Sequence, residues 1–146
     1  MTTNLNDLIS LLEKNYVLNE SNTIENLKTF MENYNGVDWR KYADVNKDFN
    51  RKLIYRSEKL ELLLISWKKD YSTEYHFHPE NGCLLRILEG TLMENIKLND
   101  NIKTNFYGQN NVSYMHNDKG SHKIVALSQT FSLHLYSPPG YFTTIT

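Results

Sequence analysis

A mainly β chain, an antiparallel sandwich or barrel preceded by two or three helices, is what this sequence predicts. Two observations carry that expectation. From about residue 50 onward, apolar runs of five to eight residues recur between turn residues such as Asn, Gly and Pro. Before that point the apolar residues instead recur every three to four positions, the period of a helix face. The 146 residues fit a single domain over 1–146, helical over 1–42 and β over 49–139, with no Pro/Gly-rich linker between the two parts.

Leu5, Leu8, Ile9, Leu11 and Leu12 fall on one helical face, and Asn4 precedes them as a cap. Ile24, Leu27, Phe30 and Met31 define a second helix, capped by Ser21 or Thr23, and 37–42 a last helical turn. Strands are expected over 51–56 and over 60–67, the latter apolar enough to be covered on both faces. A polar turn over 68–73 leads into a strand over 74–78, which Pro79 to Gly82 turn back. Residues 83–88 make the next strand. Glu89-Gly90 turns into 91–98, and Asn99 to Asn101 mark a hairpin. Strands over 112–116, 122–127 and 130–136 complete the set.

The formal net charge of −1 excludes an electrostatic case for nucleic acid or an anionic membrane surface. A single cysteine rules out an internal disulfide and fits a reducing compartment. The N-terminus lacks the basic and apolar regions of a signal peptide, and no apolar run approaches spanning length. A cytoplasmic location is therefore expected; a monomer is the default expectation, with nothing in the sequence that sets the oligomeric state.

His76 and His78 stand one residue apart, so on a strand of period two both imidazoles point to one face. Such a pair suits a divalent transition metal, although His-x-His on a half-exposed strand is commonly surface histidine. Further features favour the metal. His122 follows the Gly120 turn at the start of an apolar strand, where a barrel brings a third imidazole inward. His134 alternates with Ser132 and Tyr136 on one face of the last strand.

The spacing His-x-His-x4-Cys-x6-Gly from His76 to Gly90 resembles the first motif of the cupin superfamily, whose double-sheet β-barrels hold a metal in the lumen. That implies a cupin-type, jelly-roll-like antiparallel barrel. Most cupins place a glutamate ligand where Cys83 stands here. Three neutral imidazoles leave the full charge of a divalent metal uncompensated, which favours an anionic ligand such as a thiolate.

A narrower match follows. His76-Phe-His-Pro-Glu-Asn-Gly-Cys83, Asn117-Asp-Lys-Gly-Ser-His122 and Ser132-Leu-His-Leu-Tyr-Ser-Pro-Pro139 together resemble the cysteine dioxygenases, thiol dioxygenases of the cupin superfamily. The resemblance covers about 49–139. It implies that His76, His78 and His122 bind Fe(II), and that L-cysteine and O2 react there to give cysteine sulfinate. It assigns the substrate carboxylate to Arg51 within Phe49-Asn50-Arg51, with Arg56 as a competitor at a different spacing. Arginine suits that task because its planar fork meets a carboxylate bidentately. Phe49 departs from the family's frequent Tyr and loses one hydroxyl near the carboxylate.

Cys83 and Tyr136 match the positions that form a thioether crosslink in animal-type members. A small buried thiol is the plainer account of Cys83. The resemblance also implies that Tyr136 presents its hydroxyl to substrate or oxygen, oriented by His134 with Ser132 behind it. A cis Ser137–Pro138 bond is a further implied feature. His116 has no ligand counterpart and reads as a turn histidine, and Trp67 as core. The residues Lys-Ile-Val after His122 differ from the run of charged and amide residues often found there, so the support of that ligand differs. With larger members continuing beyond Thr146, the pocket is expected to be more open, or covered by Tyr141 and Phe142.

A dioxygenase of another small thiol, 3-mercaptopropionate or cysteamine, is the nearest alternative. Cysteamine would leave an arginine unpaired, a cost of about 1–3 kcal/mol. A non-catalytic cupin binding a metal or a thiol is the other, and Arg51, His134 and Tyr136 argue against it.

Overall fold

The computed structural model describes residues 1–18 and 23–140. Two antiparallel sheets face each other. The larger runs β1 (Phe49–Arg56), β2 (Glu61–Trp67), β8 (Thr130–Tyr136), β3 (Cys83–Glu89) and β6 (Val112–Met115) in the order β1-β2-β8-β3-β6. The smaller runs β5 (Asn101–Tyr107), β4 (Leu92–Leu98) and β7 (Ser121–Ala126) in the order β5-β4-β7. Among the described residues the two sheets do not close into one continuous barrel, and the architecture is an open jelly-roll-like double sheet.

The period-two alternation of the larger sheet creates two cores. Leu62, Leu64, Leu84, Leu133 and Leu135 face outward and pack beneath the helical segment, against Leu5, Leu8, Leu12, Leu27 and Met31. Ile65, Trp67, Leu85 and Ile87 face the other way, into the lumen, where they meet Leu92, Ile124 and Ala126 of the smaller sheet. Every residue of β2 is buried, as expected of a strand covered on both faces.

The helical segment has α1 (Leu5–Asn15), with Asn4 Oδ1 accepting from Asp7 N at 2.8 Å. The second predicted helix is divided into a 3-10 turn, Glu25–Leu27, and a six-residue α2 (Lys28–Asn33). Ile24 at the cap position makes no side-chain capping bond, and Ser21 lies outside the described residues. The last turn is a 3-10 helix, Asp38–Tyr42. Arg86, buried in β3, donates from Nη1 to Met31 O and Tyr34 O and so ties the end of α2 to the sheet.

β5 is the return strand of the hairpin expected at 99–101; Ile102 and Phe106 are exposed on it, so its residues show no buried stripe. One strand expectation needs correction. Residues 74–78 do not form a regular strand. The segment runs antiparallel to β7, but its bridges are only Ser72↔Val125 and His76↔His122. Between them lie Thr73, Glu74 and Tyr75 on one side and Lys123 and Ile124 on the other. One extra residue breaks the ladder as a bulge does, while Thr73 Oγ1 takes the Ile124 N–H at 3.0 Å.

Candidate metal centre

His76 and His122 exchange both backbone bonds, His76 N to His122 O at 2.9 Å and His122 N to His76 O at 3.0 Å. That pairing sets their rings side by side, with the two Nε2 atoms 2.8 Å apart. His78 follows two residues later, and one ligand nitrogen from each of the three rings lies within 4.8 Å of the others. The irregular ladder thus still places both imidazoles of the pair on one side. Asn117 holds the His78 peptide from both ends, accepting from His78 N at 2.7 Å and donating to His78 O at 2.9 Å.

The donor set fits a divalent cation. His76 Nδ1 lies 2.8 Å from Glu74 O, and a carbonyl only accepts, so this nitrogen carries the proton. His122 Nδ1 lies 2.7 Å from Glu94 Oε2; burial pushes the Glu94 carboxyl up and the Tyr107 hydrogen bond draws it back, and in its ionised form it would place the proton on Nδ1. With both Nδ1 atoms protonated, the two Nε2 lone pairs face one another, an arrangement a cation stabilises. Both ring nitrogens of His78 are buried without a hydrogen-bond partner among the described residues. Buried polar atoms of that kind call for an explanation, and metal ligation is one. Burial pushes all three imidazoles below their ordinary range, His78 down to about 2 with help from its two neighbours. The rings are neutral near pH 7, the state that binds a metal.

A cavity of about 340 Å³ opens over this cluster, lined among others by His76, His122, Arg51, Phe49, Cys83, His134 and Tyr136. The Arg51 guanidinium carbon sits 5.7 Å from the centre of the Tyr136 ring. Arg56 is turned elsewhere, 3.9 Å from Glu61 and against Gly140. Phe49 stacks on Tyr71 with centroids 4.7 Å apart and meets the edge of Trp67.

A hydrogen-bonded row crosses the lumen wall. Trp67 Nε1 donates to Ser132 Oγ at 2.9 Å, and an indole N–H can only donate. Ser132 Oγ is 2.8 Å from His134 Nε2, and His134 Nδ1 is 3.2 Å from the Tyr136 hydroxyl. Trp67 fills only one of the two lone pairs of Ser132 Oγ, so the row runs in either of two directions: Ser132 donating to Nε2 with Nδ1–H facing the phenol oxygen, or Nε2–H donating to Ser132 with the phenol donating to Nδ1. Burial, then the charge of Arg51, keeps His134 well below the ordinary histidine range, hence neutral. Cys83 stands directly across from Tyr136 in the β3–β8 ladder, thiol and phenol within hydrogen-bonding contact. Burial pushes both acids up, so both are protonated.

A model of the family "Cysteine dioxygenase type I" matches residues 2–146. The chain belongs to the cysteine dioxygenase type I family. It is 31% identical over 150 residues to cysteine dioxygenase type 1 of Bos taurus, covering 92% of this chain and 74% of the relative. The enzyme of the same name from Danio rerio is 30% identical over 151 residues, with 92% and 75% covered. Membership makes the protein an oxidoreductase enzyme. Among solved structures, a cupin-2 domain protein from Shewanella frigidimarina superposes with a TM-score of 0.57 at 13% identity, over 69% of this chain and 92% of the other. A cupin superfamily protein from Desulfitobacterium hafniense gives 0.54 at 15% identity, over 65% and 81%. The fold is therefore that of a cupin.

Within this cysteine dioxygenase family member, three site residues escaped sequence reasoning. Glu94 supports His122 from another strand, and no local spacing connects the two. Asn117 stood inside the motif that ends at His122, a signal read only for its histidine. Trp67 was expected to be plain core, but it also anchors the row that ends at Tyr136. His116 is the turn residue it was expected to be, capping the 3-10 turn Asn117–Lys119 through Asp118. The Ser137–Pro138 bond is cis. Tyr141 and Phe142 lie outside the described residues. Among those described, no helix is long and apolar enough to cross a membrane.

Proposed function

We propose that the protein is an iron-dependent thiol dioxygenase that adds both atoms of O2 to the sulfur of L-cysteine, giving cysteine sulfinate. The observation that carries this reading is the convergence of three neutral imidazoles beneath a cavity whose opposite wall holds Arg51 and Tyr136. Fe(II) held by His76, His78 and His122 would supply the redox chemistry with O2. The chain's own residues do the rest. Arg51 offers a guanidinium fork to the substrate carboxylate, and Phe49 with Tyr71 forms an apolar wall beside it. The Tyr136 hydroxyl lines the cavity beside Cys83 and His134, where it can hydrogen-bond substrate or oxygen. The uncharged, buried His134–Ser132–Trp67 row holds that phenol without drawing its proton off.

The facing of Cys83 and Tyr136 supports a thioether between them. Its formation replaces the thiol S–H and one ring C–H by an S–C bond, with O2 accepting the two electrons and two protons. Protein reconstituted with Fe(II) and supplied with L-cysteine should consume oxygen mole for mole with sulfinate formed. Turnover of 3-mercaptopropionate without turnover of cysteine would transfer the assignment to that thiol. Intact mass after turnover should fall by two hydrogens, a loss absent from Cys83→Ser.

A further inference from the structure

β4 carries an exception to its own pattern. Leu92, Glu94 and Ile96 alternate toward the lumen, and an ionisable side chain in the middle of that row is buried to 1% exposure. Burying a carboxylate is costly unless both oxygens find donors. Here they do: Oε2 meets His122 Nδ1 at 2.7 Å, and Oε1 accepts from the Tyr107 hydroxyl at 2.8 Å. The register explains the reach. Glu94 pairs with Ile124 and Ile96 with His122, so Glu94 and His122 are diagonal neighbours on one sheet face.

The three imidazoles are supported unequally. His76 donates to a neutral backbone carbonyl, Glu74 O. His78 has no bond at either ring nitrogen, and only its peptide is clamped, by Asn117. His122 alone is set against a carboxylate. We infer that Glu94 is a positioning residue of the metal centre, fixing His122 as the Nδ1–H tautomer and placing a carboxylate one residue behind the ligand. Such an arrangement raises the basicity of Nε2 and orients the ring. It also answers the charge problem of an all-histidine site. The ligand position at which most cupins carry glutamate is Cys83 here, and Glu94 returns a carboxylate to the site through His122 instead of through direct ligation. Tyr107 locks the far oxygen, so the carboxylate cannot rotate away without breaking a second bond.

This inference rests on His76, His78 and His122 being the metal ligands, and the test separates the two. Fe(II) affinity of the metal-free protein is measured anaerobically by competition with a chromophoric chelator. The proteins compared are wild type, Glu94→Gln, Tyr107→Phe and His122→Ala, each checked for folding by circular dichroism. Glu94→Gln keeps an acceptor of the same shape but removes the carboxylate, and should weaken binding roughly 10–100-fold. Tyr107→Phe should weaken it less and in the same direction. Nitrogen-15 spectra of metal-free wild type should show His122 protonated on Nδ1, a readout that needs no variant to fold. Folded Glu94→Gln binding within twofold of wild type, while His122→Ala binds nothing, would overturn the inference and leave the centre intact. Protonation of His122 on Nε2 in the wild type would overturn it as well. Equal binding by His122→Ala and wild type would remove the three-histidine centre itself.

Discussion

His122→Ala should lose iron outright. In wild type, Fe(II) at about 100 times its dissociation constant adds about 2.7 kcal/mol to folding stability. For a domain of this size that is a rise in melting temperature of roughly 5–10 °C. The variant should show no such rise, because removal of one imidazole leaves His76 and His78 as a two-donor site. Ligand loss exceeds the 10–100-fold that a supporting residue costs, so affinity should fall by more than about a hundredfold. Metal content after desalting is the direct measurement, and sulfinate formation should follow it down. His116→Ala makes the control. That ring caps the 3-10 turn next to the third ligand's loop but takes no place in the cluster. If His122→Ala kept its iron and its thermal shift, the three-imidazole centre would be wrong.

Much of this site can be read along the chain, and the parts that cannot share one cause. His76, His78, His122, Cys83, His134 and Tyr136 stand in short strings whose spacing survives folding, because each string occupies one segment. α1 is equally legible: its cap and its leucine period are local, and the same leucines fill the outer core. The strand expected over 74–78 fails because a period-two pattern shows which side a residue faces, not whether the neighbouring ladder keeps step. One extra residue against β7 breaks the ladder, while the His76–His122 bridge still sets those two rings side by side. β5 is marked only by the turn over 99–101 that precedes it. Its apolar residues Ile102 and Phe106 are exposed, so no buried stripe marks it. Glu94 is the plainest case of what local reading misses. Its role exists only through the register of β4 against β7, which brings residues 28 positions apart into a 2.7 Å contact.

Arg51→Gln should reduce kcat/KM for L-cysteine by roughly ten- to a hundredfold, the equivalent of about 1.5–3 kcal/mol for a hydrogen bond to a charged group. The choice between Arg51 and Arg56 turns on geometry. Arg51 lines the cavity and lies over the Tyr136 ring, whereas Arg56 is near Glu61 and packs on Gly140. Arg56→Gln should therefore leave turnover nearly unchanged. Arg51→Lys should recover part of the loss and not all of it. An ammonium preserves the charge, but it cannot present the two parallel N–H groups that match a carboxylate. The more telling measurement is selectivity. Cysteamine has the thiol and the amine of cysteine but no carboxylate, so Arg51→Gln should bring its kcat/KM closer to that of cysteine. A general collapse of the pocket would depress both thiols together. Loss of an anchor depresses only the one that carries the carboxylate. If Arg51→Gln kept full preference for cysteine while Arg56→Gln lost it, the anchor would have to be reassigned to the second arginine.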